Sequence, residues 1–329
     1  MIKIRNTENL VGITILGDYE DLSALRDAIS DYTNLHMSNS ENDAAYHCHE
    51  CILGLCYDIR HAYQGDRGFE SVPNGSENIA SLAQCIYELS PETKKRINAN
   101  KRLYKNGNLY FSADILYPWA VYYLFVLESL VEESYQSDWF ENIDFDYDEL
   151  RAKRDEALVQ YFVQLLWECV KKVLPEETFA LLRDYLLTFG HKDFYITYPD
   201  LYLQWLCHYW VSSLGNKENR LSMLPMLCLE LTPIHLEDEG ELLEEPDNDD
   251  ERVSSLVRDI NQMTLRCMQL YDQNLKMSRD VGSHPFQTCD ENYLELGRYV
   301  REHGPFTEWS FDEYLTNELG PVDWDAVEW

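Results

Sequence analysis

The chain has 329 residues and a mass of 38.8 kDa, the length of about two domains at ~100 to 200 residues each. With 45% hydrophobic and 26% charged residues, and only 14 Gly and 11 Pro, it is not collagen-like, disordered or a disulfide knot. Its 27 basic residues stand against 59 acidic ones, a formal net charge of -32. Such a field repels phosphate backbones and anionic headgroups, so direct nucleic-acid binding is not expected.

Ile2 to Arg5 and Leu10 to Leu16 are short β-type runs separated by the polar Asn6-Thr7-Glu8-Asn9, a hairpin signal. From Glu20 the period turns helical, with Leu22, Leu25, Ile29 and Tyr32 at three- and four-residue spacing. A stronger helix runs from about Glu41 to Gln64, and Gly65 is placed to end it in the left-handed conformation. Phe69 to Val72 before Pro73-Asn74-Gly75 reads as a strand, Ser76 to Leu89 as a helix, and Leu109 to Ser112 as a strand leading into a helix with Pro118 and Trp119. The basic stretch Lys94 to Lys105 between them suits an internal salt-bridge partner before an anion site.

Residues 137–149 alternate acids with Trp139, Phe140, Phe145 and Tyr147 and hold no helical stripe, so they form the expected connector between a mixed unit at 1–136 and a helical region at 150–329. In that region helices are expected near Arg151 to Val173, Glu176 to Thr188, Asp200 to Leu214, Arg220 to Leu229, Glu251 to Lys276 and Asp290 to Glu302. The run at 235–251 is too acidic and too poor in apolar residues to order itself and reads as a mobile loop. It lacks the register of acids that an EF-hand loop requires. The fold class expected is α+β, predominantly helical, a small N-terminal mixed unit followed by helices.

The acidic charge is spread evenly, net -14 up to residue 150 and -18 beyond it. Nine cysteines, an odd number scattered through apolar helical patterns, look like reduced core thiols and imply a cytoplasmic compartment. The first residues show no basic segment followed by an apolar run, so no secretory signal is expected. Ile115 to Val131 contains Pro118, three tyrosines and Glu128 and is shorter than the ~20 apolar residues of a membrane span. It reads as a buried helix, and no membrane association is expected.

Chemistry concentrates in the helix 41–64, whose YHCHECILGLCYDIRHAYQ is the densest His, Cys and acid cluster. At ~100° per residue, Cys48, Cys51, Cys56 and His61 fall near 0°, ~300°, ~80° and ~220°, too dispersed to hold one ion. Cys48, Cys51, Ile52, Leu55, Cys56, Ile59, Ala62 and Tyr63 instead share an apolar stripe. A second stripe holds His47, Glu50, Gly54, Asp58 and His61, with His47 and Glu50, and Asp58 and His61, each three residues apart and able to hydrogen-bond. Gly54 leaves room for another backbone or a ligand. In a catalytic reading His61 is a base oriented by Asp58, with Glu50 as a second carboxylate; His47 and His61 are the metal candidates; Arg60 and Arg67, with Asp66 beside them, are the anion candidates.

Walker A, G-x-G-x-x-G, G-x-S-x-G, H-E-x-x-H and kinase signatures are absent. Gly12 to Leu25 (GITILGDYEDLSAL), Leu53 to Arg67 (LGLCYDIRHAYQGDR) and Tyr117-Pro118-Trp119 resemble an uncharacterised family of bacterial domains of unknown function. The resemblance spans roughly the first 130 residues. It implies a compact α+β unit of bacterial origin and no more.

The function expected is a non-enzymatic cytoplasmic interaction protein of the immunity or inhibitor kind that binds a basic partner. Trp139, Phe140, Trp324 and Trp329, each set among acids, are its candidate anchors. The alternative is a hydrolase-like or metal-assisted enzyme using the His and carboxylate face. No cofactor is specified, and association of the chain with itself is left open.

Overall fold

The computed structural model describes residues 1–37, 43–73, 91–92, 95, 107–136, 149–189, 199–212, 214–231, 262, 313, 315–317 and 320–329. The protein is α+β and predominantly helical, with a small four-stranded antiparallel sheet near its N-terminus. It divides into two compact units, residues 1–7 with 12–169, and residues 8–11 with 170–329. The expected connector at 137–148, the basic stretch apart from Lys95, the acidic loop at 235–251 and the helices at 76–89 and 290–302 lie outside the described residues, as does 251–276 except for Gln262.

The first unit is built on strands β1 (Lys3–Asn6), β2 (Gly12–Gly17), β3 (Gly68–Pro73) and β4 (Gly107–Leu116), in the order β1-β2-β4-β3 and all antiparallel. The β1-β2 hairpin is tied at its turn by the Thr7 amide donating to the Gly12 carbonyl at 3.0 Å and by the Gly12 amide donating to Thr7 Oγ1 at 3.0 Å. Register places Ile4 opposite Ile15, Ile15 opposite Ala113, and Ile13 opposite Ile115. Since side chains alternate with period two, these residues form one buried apolar face. The strand β4 continues through Ile115 and Leu116, so the expected buried helix begins only at Tyr117.

Helices α1 (Tyr19–Met37) and α2 (Asp43–Gln64) pack against each other, α1 also against β2 and α2 against β4. The start of α1 is fixed by Asp18, whose carboxylate accepts from the Asp21 amide at 2.9 Å, satisfying a first-turn donor. α2 buries Cys48, Cys51, Ile52, Leu55, Cys56, Ile59, Ala62 and Tyr63. It ends where expected, with Gly65 at φ 85°. The Gly65 amide donates to the Ala62 carbonyl at 2.9 Å and the Asp66 amide to the His61 carbonyl at 3.0 Å, the paired reversal of a Schellman cap.

Helix α3 (Tyr117–Gln136) opens with Pro118 in its first turn, where a missing N–H costs nothing, and every residue from Ala120 to Leu127 is buried. Helix α4 (Glu149–Lys171) buries Val159, Phe162, Val163, Leu166 and Trp167. The Trp167 indole donates to Glu128 Oε2 at 2.5 Å, which gives that helical acid a partner. Asp155, 1% exposed, is held by Arg154 at 2.6 Å and by Arg151 at 3.7 Å.

The second unit contains α5 (Glu176–Phe189), α6 (Pro199–Ser212), α7 (Lys217–Glu230) and a 3-10 turn at Trp324–Ala326. α6 is its core element, with Tyr202, Leu203, Trp205, Leu206, Cys207, Tyr209 and Trp210 all buried. Tyr202, Trp205 and Tyr209 stack in near-parallel planes, 6.4 and 5.7 Å between centroids.

Burial pushes the Cys56 and Cys228 thiols up to about 12 from an ordinary 9.0. A raised thiol pKa means that the folded state keeps its proton where the unfolded state has lost it. Stability is therefore undiminished below about pH 9 and falls as the pH rises towards about 12. Unfolding midpoints measured from pH 8 upwards are expected to drop across that window, and to drop less in Cys56→Ala. A flat profile would show that neither thiol is buried in solution.

Candidate functional site

The outer face of α2 was the region of interest in the sequence, and its geometry follows from the helix end. The Schellman reversal at Gly65 carries the chain back along the last turn. His61 Nδ1 consequently lies 2.9 Å from Asp66 Oδ2. One residue further, Arg67 Nη2 donates to Asp58 Oδ1 at 2.6 Å. The carboxylate that orients His61 is thus Asp66, five residues on, rather than Asp58. Asp58 is bonded by the guanidinium expected to bind an anion.

The remaining members of this face are laid along the same helix. The Tyr57 ring sits 4.2 Å from the His61 ring, and the Arg60 guanidinium lies 5.0 Å from the Tyr57 ring centre. Tyr57, Arg60, Asp66 and Arg67 are exposed, as are Glu50 and Gly54. Glu50 precedes Asp58 by eight residues, about 12 Å of helical rise, so it does not join the His61 group. The His47 side chain lies outside the described residues, as do Trp139 and Phe140. Among the described residues no three His, Cys, Asp or Glu side chains are grouped to hold a metal ion.

The second unit contains a cavity of about 610 Å³ between the first turn of α7 and the C-terminal segment. Gly215, at φ 57°, turns the chain between α6 and α7, and Asn216 caps α7 by accepting from the Asn219 amide at 2.9 Å. One turn later Arg220 is 6% exposed. Its Nε donates to the Trp210 carbonyl at 3.2 Å, Nη1 to the Asn9 carbonyl at 3.0 Å and Nη2 to the Val211 carbonyl at 3.5 Å. Trp210 and Val211 lie in the last turn of α6, where carbonyls have no helical donors, so Arg220 acts as a C-terminal cap. Burial lowers its pKa from the ordinary value.

The opposite wall is the segment 321–328, which follows Gly320 at φ 86°. It is tied down where Asn9 Nδ2 donates to the Glu328 carbonyl at 3.2 Å and where His208 meets the Trp324 ring edge-on at 6.2 Å. Trp324 is nonetheless 50% exposed and Trp329 38%. Arg220 and this cavity are not legible in the sequence. A single Arg opening an apolar helix carries no signal of what it caps.

The fold and its site define an α+β, predominantly helical protein with a tethered acid-and-tryptophan tail. Over residues 2–244 it matches a family described as a domain of unknown function, DUF6904, and it belongs to that family. The match extends beyond the residues that carry the sequence resemblance. No curated protein and no solved structure matches the chain. Among the described residues no helix is long and apolar enough to cross a membrane.

Proposed function

We propose that this protein is a non-enzymatic cytoplasmic binding protein of the immunity or inhibitor kind, whose acidic surface receives a basic protein partner. The observation that supports it is the exposure of Trp324 and Trp329 on a segment that also carries Asp323, Asp325 and Glu328. Exposed tryptophan is an efficient interface anchor, since it contributes a large rigid area for little lost freedom. A net charge of -32 steers a cationic surface towards it. The catalytic alternative has less support, because His61, Asp58 and Glu50 each have separate surroundings along one helix.

The test is native mass spectrometry of protein gently purified from its host, followed by salt titration of any complex. A retained basic partner is expected to dissociate between ~0.1 M and ~1 M salt, as the Debye length shrinks from ~10 Å to ~3 Å. Trp324→Ala with Trp329→Ala is expected to weaken retention about tenfold or more. A complex indifferent to salt and to both substitutions, or the absence of any basic partner, would overturn the proposal.

A further inference from the structure

We propose that the cavity of the second unit binds a small zwitterion carrying a carboxylate and an ammonium group, of the amino-acid or short-peptide class. It concerns a different ligand from the partner reading above, although the C-terminal segment that carries Trp324 and Trp329 also forms one wall of this cavity. The volume of about 610 Å³ falls within the ~300 to 1,000 Å³ of small-molecule sites. The two walls of the cavity are chemically opposite, and that opposition selects the ligand.

One wall is cationic. Arg220, 94% buried by its 6% exposure, lines it, and its three bonds all go to neutral carbonyls. A guanidinium has five N–H donors, so three carbonyl bonds orient the fork without neutralising its charge or exhausting it. Lys217, in the same first turn, adds an exposed ammonium. The first-turn amides of a 14-residue helix add the positive end of its dipole. Glu218 is the acid on this side.

The other wall is the C-terminal segment, which brings Asp323 and Glu328 to the cavity. Asp323 is fixed in place as the cap of the 3-10 turn, accepting from the Asp325 amide at 3.2 Å. A simple anion would satisfy Arg220 and Lys217 but meet two carboxylates. A simple cation would satisfy those carboxylates but meet a buried guanidinium. A ligand with a carboxylate at one end and an ammonium at the other satisfies both, and Val211 and Val322 supply apolar surface between them.

The experiment equilibrates the full chain with three probes in turn: an equimolar pool of free tripeptides, the same pool N-acetylated, and the same pool with amidated C-termini. A pool of free amino acids forms a fourth arm. Bound mass is read by native mass spectrometry. One zwitterionic ligand per chain is expected, from the tripeptide or the amino-acid pool, and the arm that binds names the size class. Blocking either end is expected to weaken binding about tenfold or more, the loss of one charge-assisted contact. Lys217→Ala and Glu328→Gln, both at exposed positions, should each weaken it while leaving the thermal midpoint unchanged. Retention of no zwitterion, equal retention of blocked pools, or binding that ignores both substitutions overturns the proposal.

Discussion

Arg220→Met is expected to destabilise the second unit by about 3 kcal/mol. Its guanidinium donates to the carbonyls of Asn9, Trp210 and Val211 in a region where it is itself 6% exposed. Trp210 and Val211 close α6, so their carbonyls have no donor from their own helix. Each buried acceptor left without a partner costs about 1 to 3 kcal/mol, and relief of the cation's desolvation offsets part of the sum. Removing the bond to Asn9 also loosens residues 8–11, which then keep the Trp210 indole bond to the Leu10 carbonyl at 3.1 Å and the Asn9 Nδ2 bond to the Glu328 carbonyl at 3.2 Å. Urea denaturation followed by tryptophan fluorescence checks this. Arg220→Lys should recover only part of the loss, since one ammonium cannot span three carbonyls. A change below about 1 kcal/mol in Arg220→Met would mean that water already serves those carbonyls.

Gly12→Ala is expected to cost about 3 kcal/mol in the first unit. A Cβ at Gly12 would stand 1.9 Å from the Ile115 carbonyl oxygen and 2.9 Å from the Leu116 Cα. Both are backbone atoms of β4, so relief requires the β2-β4 register to open rather than a side chain to turn. Opening it pulls on the Gly12 amide bond to Thr7 Oγ1 that ties the hairpin turn. Gly54→Ala provides the contrast. Gly54 is exposed in the middle of α2, and the nearest atom to its Cβ would be the Tyr123 hydroxyl at an ordinary 3.8 Å. Since glycine costs a helix about 0.5 to 1 kcal/mol relative to alanine, Gly54→Ala should stabilise by that order. Equal unfolding midpoints for the two variants would refute the close-approach account of Gly12.

The helical repeat made α2 legible in detail, because the buried face of a helix follows from spacing alone. Cys48, Cys51, Leu55, Ile59 and Ala62 lie inside as their positions on the wheel require. Gly65 was legible as a cap for the same local reason. The candidate site was less so. Helical spacing offers Asp58 to His61, yet the reversal after Gly65 delivers Asp66, and Arg67 takes Asp58. In α4 Leu158 and Leu165 are half-buried, whereas Val159 and Val163 are fully buried. Neighbours on more than one side widen the buried face beyond a single stripe.

By itself, then, the sequence determined what depends on near neighbours along the chain: the period of each helix, the Gly65 cap, the β1-β2 hairpin, the acidic charge and the α+β class. Only the tertiary structure decided the pairing of β3 with β4 across 33 intervening residues, the three carbonyls gathered by Arg220, and the tail that walls the cavity. Those features join residues far apart in the chain, whose meeting is set by packing and by the need of buried polar groups for partners. Local propensity carries no record of either.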